Sequence, residues 1–169
     1  MLTKTAALLC RRRNGLTLVE LVATVAILAV LASAVLPLSR MTAQRSREVE
    51  LRRNLRLLRT ALDDYKKAYD KAVDDKKIVP AANKSGYPED LQVLVTGQDF
   101  GGLYPYKRKF LRRIPADPMY PSPPGQPPRW GLRSYADKPG AVAWGGEDVY
   151  DVYSLSEGSA IDGSRYKDW

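Results

Sequence analysis

Leu16 to Leu38 is a 23-residue stretch whose only charge is Glu20, and Leu21 to Leu36 carries no charge at all. A helix needs about 20 apolar residues to cross a bilayer core, so the stretch is long enough to span one. Lys4, Arg11, Arg12 and Arg13 stand in the first fifteen positions, which hold no acid. Three readings compete for a basic leader followed by an apolar run. A cleaved secretory signal needs an apolar region of roughly 7–15 residues and a small-residue cleavage site. Ala32-Ser33-Ala34 could serve as that site, and Arg12-Arg13 has the look of a twin-arginine export signal. Against both stands Glu20, since a carboxylate at a membrane centre costs about 2.5–3.5 kcal/mol and an ordinary signal has no use for it. A plain membrane anchor accounts for the apolarity and also leaves Glu20 without a purpose.

The third reading takes glycine, apolar start and carboxylate as one unit. Gly15-Leu16-Thr17-Leu18-Val19-Glu20-Leu21 after a short basic leader resembles the class III signal of type IV pilins and type II secretion pseudopilins. The resemblance implies that a prepilin peptidase cuts between Gly15 and Leu16 and N-methylates Leu16, where that family usually has Phe. It also implies that Glu20 serves assembly. A carboxylate tolerates an apolar bundle when it meets a cation, and the freed amino group of a neighbouring subunit's Leu16 supplies one. Cys10 leaves with the leader on this reading, so the mature chain has no thiol. Basic residues flank the span on both sides, with Arg40, Arg45, Arg47, Arg52, Arg53 and Arg56 following it. Charge bias therefore does not orient the span, and the family's cytoplasmic peptidase places the N-terminus inside.

Past Pro37 the pattern becomes amphipathic: Leu51, Leu55, Leu58, Leu62, Tyr65, Tyr69 and Val73 recur at steps of three and four, one face of a helix. The spacing predicts a single helix over residues 16–73, bent or loosened near Pro37. Its 58 residues would span ~87 Å at 1.5 Å each. Such a length suits a subunit packed side by side in a filament. The expectation is that Leu55 to Tyr69 are covered by the chain's own C-terminal part and that the segment before Leu51 is free for partners. The arginines from Arg40 to Arg59 read as a solvated or intersubunit face rather than a nucleic-acid site, because no aromatics are interleaved with them to stack bases.

Asp74 to Lys77 close the helix, Pro80 prevents its continuation, and Glu89 to Leu94 reads as a short helical segment. Nine of the twelve prolines fall between Pro105 and Pro139, so this region is loop and extended chain. Trp130–Tyr135 and Val149–Leu155 read as two strands of a small antiparallel sheet. The organisation expected is a leader (1–15), an apolar helix (16–38), its amphipathic continuation (39–77) and a globular region (78–169). The fold class is α+β.

Four downstream segments extend the resemblance: Gly86-Tyr87-Pro88 with Leu91 and Leu94, Phe110 to Pro118, Trp130 to Tyr135, and Asp151 to Leu155. Together they are similar to the G-type major pseudopilin of type II secretion. That resemblance implies the ladle-shaped pilin-like fold and a homo-oligomeric filament in the periplasm that drives protein export. Its partners would be the prepilin peptidase, other pseudopilins, and an inner-membrane assembly platform. The other reading of the same features is a minor type IV pilin that binds DNA or a surface, and a third is an unrelated periplasmic protein with a cleaved signal. The G-type resemblance further implies calcium in the loop after the last strand. Here that loop offers only Glu157, Asp162 and Asp168 as acids, whereas calcium takes six to eight oxygens and usually several carboxylates. Asp162 with Ser154 or Ser164 is the candidate site. The competing reading is an Asp-Gly turn at Asp162-Gly163 with Arg165 or Lys167 as the local cation. The chain has no His, which removes imidazole chemistry, and no nucleophile–base set can be assembled, so an enzyme is not expected.

Overall fold

The structure is a computed structural model that describes residues 15, 17–80, 84–141 and 143–169, without the side chains of 34–39. The chain divides into two units, Met1–Met41 and Thr42–Trp169. Helix α1 (Leu18–Asp74, 57 residues) supplies the described helix of the first unit and the backbone element of the second.

In the first unit α1 begins on a side-chain cap. The Thr17 hydroxyl accepts the Glu20 N–H at 3.2 Å, and the Thr17 carbonyl accepts the Leu21 N–H at 3.0 Å. Thr-x-x-Glu is the pattern of a capping box, so Glu20 occupies the N3 position, where a helix dipole favours a carboxylate. Beyond the cap the surface is apolar all round: Leu18, Val22, Val25, Leu28 and Leu31 are exposed, and so are Val19, Leu21, Ile27 and Val30. The polar groups in this stretch are turned inward on the helix. The Thr24 and Ser33 hydroxyls donate to the carbonyls of Leu21 and Val30. Position 37 carries helical backbone, so Pro37 does not end the helix. Among the described residues no helix is long and apolar enough to cross a membrane.

In the second unit the predicted stripe is core from Leu51 to Tyr65, whereas Tyr69 and Val73 are half-buried and the small side chains of Ala68 and Ala72 take the buried face there. Leu51, Leu58 and Leu62 are fully buried, and Leu55, Ala61, Tyr65, Ala68 and Ala72 complete the face. Each fully buried leucine contributes about 2 kcal/mol. Against this face pack Leu94, Phe100, Leu111, Val149, Val152 and Tyr166, with the Tyr65 ring meeting those of Phe100 and Phe110 at 5.3 and 5.4 Å. The helix stops in a Schellman turn. Lys77 N–H returns to the Ala72 carbonyl, Lys76 N–H returns to Val73, and Lys76 takes the left-handed conformation (φ 55°) usually left to glycine.

Three expectations are corrected. The short helix α2 is Val93–Thr96, not Glu89–Leu94, because the Asp90 side chain and carbonyl cap Gln92 N–H and Val93 N–H and so begin the turn later. The strands are shorter than predicted: β1 is Gly131–Arg133 and β2 is Asp151–Tyr153, antiparallel, with Leu132 opposite Val152. Carboxylates cut the ladder short, since Ser134 N–H goes to Asp137 and Tyr135 N–H to Asp148 rather than to a strand. The helix segment before Leu51 is also not wholly free, because Glu48 is buried against the C-terminal loop.

Candidate functional site

The four segments that carried the downstream resemblance meet in one hydrogen-bonded frame. Asp117, fully buried, accepts the Ser154 hydroxyl at 2.6 Å and the Met119 N–H at 2.8 Å. The Trp130 indole N–H donates to the Pro115 carbonyl at 2.9 Å. Val149 N–H reaches the Pro88 carbonyl at 2.8 Å. Asp151, at the start of β2, pairs with both Arg59 of α1 (2.7 Å) and Arg133 of β1 (3.2 Å). The same Arg59 guanidinium donates to the carbonyls of Val152 and Trp169 at 3.2 and 2.8 Å. One arginine thereby ties helix, sheet and C-terminus. These contacts hold the four segments in place.

The C-terminal loop is held by a second set of contacts. One Glu48 oxygen accepts from Gln44 Nε2 (3.0 Å), Ile161 N–H (2.9 Å) and the Tyr166 hydroxyl (2.9 Å). Burial, as the largest cause, raises the Tyr166 phenol above its ordinary pKa, and Glu48 raises it further. Asp162 binds the Ser164 N–H and hydroxyl through Oδ1, and Arg52 pairs with Oδ2 at 3.2 Å. Those Ser164 bonds are the largest cause that lowers the Asp162 carboxyl below its ordinary value, with Arg52 a smaller one. The Arg52 guanidinium also lies 4.1 Å from the centre of the Trp169 indole.

This geometry decides how the candidate calcium residues stand. Asp162 and Ser164 are together, as an Asx turn with Gly163 at φ +86°, but Ser154 is committed to Asp117. Both Asp162 oxygens are already engaged, and among the described residues no three His, Cys, Asp or Glu side chains gather to hold a metal. The residues do not fit a six- to eight-oxygen calcium shell. The local cation is Arg52 from α1, not Arg165 or Lys167, since Arg165 pairs with Asp168. Sequence spacing could not find Arg52, because the pair spans 110 positions.

At the other end of the chain, Gly15 is exposed and Glu20 is an exposed side chain of the capped first turn. Leu16, Cys10 and the rest of the leader before Gly15 lie outside the described residues. Residues 10–36 match the prokaryotic N-terminal methylation motif. The matched motif is the N-terminal motif of type IV pilin-like proteins and pseudopilins, one that a prepilin peptidase processes in those proteins. No curated protein and no solved structure matches the chain.

Proposed function

We propose that this chain is a structural, non-catalytic subunit of a type II secretion filament. It is held in the inner membrane with its N-terminus cytoplasmic and its C-terminal region periplasmic, cut between Gly15 and Leu16, and assembled with copies of itself and other pseudopilins to drive export. The observation that carries this reading is the contrast within α1. From Leu51 onward its apolar face is covered by the chain's own core, whereas from Leu18 to Leu31 apolar side chains are exposed in every direction. A surface of that kind demands lipid or neighbouring helices. The downstream segments Leu111 to Pro118 and Asp151 to Leu155 support the secretion class over an adhesive pilus.

Glu20 is the test. In a bundle of apolar helices an unpaired carboxylate costs several kcal/mol and a paired one roughly breaks even, so Glu20 selects the register that faces a neighbour's Leu16 amino group. Glu20→Val is expected to insert and to be cleaved after Gly15, leaving 154 of the 169 residues. Subunit crosslinking and export should both be lost. N-terminal mass analysis scored beside crosslinking separates processing from assembly, and wild-type assembly and export by Glu20→Val would refute the proposal.

A further inference from the structure

The globular region, residues 78–169, carries eleven Lys and Arg and eleven Asp and Glu, yet five of those cations lie between Lys107 and Arg113 with no acid among them. The surrounding run, Tyr104-Pro105-Tyr106-Lys107-Arg108-Lys109-Phe110-Leu111-Arg112-Arg113, interleaves them with three aromatic rings. This segment is held in place. Arg108 bridges Gln98 through both backbone groups at 2.9 and 3.1 Å, and Phe110 and Leu111 N–H both donate to the Leu94 carbonyl at 2.9 Å. Tyr104, Phe110 and Leu111 pack toward the core and Arg108 is half-buried, which leaves Tyr106, Lys107, Lys109, Arg112 and Arg113 exposed.

What is displayed forms a cleft of about 700 Å³ lined by Thr96, Tyr104, Tyr106, Lys107, Arg108 and Lys109. No carboxylate lines it. Tyr106 is 74% exposed. The Arg108 guanidinium stacks 4.7 Å from the Tyr104 ring and 5.3 Å from Phe110 and donates to the Tyr104 hydroxyl, so its plane is fixed. Lys107, Lys109, Arg112 and Arg113 are exposed and have no ion-pair partner among the described residues.

We infer that this cleft binds single-stranded nucleic acid: the cations take phosphates and the exposed Tyr106 ring takes an unstacked base. A flat polyanion needs only the charge, whereas an exposed π-face beside the cations is the arrangement that a single strand uses. Lys107, Arg108 and Lys109 can neutralise up to three phosphates, which gives a slope of about −2 in log affinity against log salt.

The test uses the mature chain in neutral detergent and a fluorescent oligothymidylate, read by anisotropy at several salt concentrations. Tyr106→Ala is expected to weaken binding about fivefold or more, with the salt slope unchanged. Lys107→Ala with Lys109→Ala is expected to weaken it and to flatten the slope by about 1.4. The control Arg53→Ala with Arg56→Ala, on exposed residues of α1 that have no ion-pair partner among the described residues, is expected to bind within about twofold of wild type, the size of an effect from charges beyond screening range. Absence of oligonucleotide binding, wild-type affinity of Tyr106→Ala, or equal loss in the α1 control would each overturn the inference. Phosphatidylglycerol vesicles form the second arm. If they displace the oligonucleotide, and Tyr106→Ala binds them as wild type does, the cleft is a membrane-facing patch and the inference fails. The filament role is read by crosslinking and export, so the two readings fail separately.

Discussion

Replacing Glu48 isolates the contact that fastens the C-terminal loop to α1. Its carboxylate is 7% exposed as a residue and accepts three hydrogen bonds. Gln44 has other partners, the Ser159 carbonyl and the Tyr166 hydroxyl, so truncation orphans chiefly the Ile161 N–H and the Tyr166 O–H. A buried donor left without an acceptor costs about 1–3 kcal/mol. Ile161 is half exposed, so its N–H can turn to water and the Tyr166 O–H bears most of this cost, reduced because removing the carboxylate also removes its own desolvation penalty. Glu48→Ala is therefore expected to destabilise the protein by about 2 kcal/mol. For a unit of this size, that is a fall in melting temperature of about 7 °C. Glu48→Gln keeps an acceptor oxygen and should lose about 1 kcal/mol. Trp169 stacks edge-on to Tyr166 at 5.2 Å, so indole fluorescence during thermal unfolding, with Trp130 and Trp144 replaced by Phe, follows the loop. A fall of less than about 2 °C in Glu48→Ala would refute the claim that this carboxylate anchors the loop.

Gly131→Ala should be strongly destabilising, by about 2–3 kcal/mol in denaturant unfolding, because an added Cβ would collide with the Tyr153 ring that lies across β1. Since Arg52 and Ser164 satisfy Asp162, a calcium chelator is expected to leave the melting temperature unchanged, and a fall of several degrees would show an ion in the loop. The phenols of Tyr65, Tyr87 and Tyr166 are raised, chiefly by burial. The unfolded chain loses these protons first, so their contribution is full below the ordinary phenol value near 10 and is lost as pH rises through the higher folded values. Unfolding titrations above pH ~9.5 should show a decline that weakens in Tyr166→Phe.

Much of this protein is legible in its amino-acid sequence. The apolar run, Gly15 and Glu20 stand at fixed spacing in one short segment, and the Leu51–Tyr65 stripe follows from helix periodicity alone, since residues three and four apart share a face whatever they pack against. The Asp-Gly turn at Asp162 is local in the same sense. Strand lengths are less legible, because Asp137 and Asp148 compete for ladder donors from outside the strands. The aromatic and basic run from Tyr104 to Arg113 is visible in the sequence only as composition. It becomes a cleft because Gln98 and Leu94 fix the segment's backbone.

Sequence alone determined the processing motif, the exposed apolar start of α1 and the face of the helix that forms the core, because each depends on neighbours within a few turns. Only the tertiary structure decided that Arg52 pairs with Asp162, that Asp117 holds Ser154, that Glu48 holds the C-terminal loop, and that Arg59 joins helix, sheet and C-terminus. Each of these pairs residues separated by 37 to 118 positions. No periodicity connects such partners, and their meeting follows only from burying the core that lies between them.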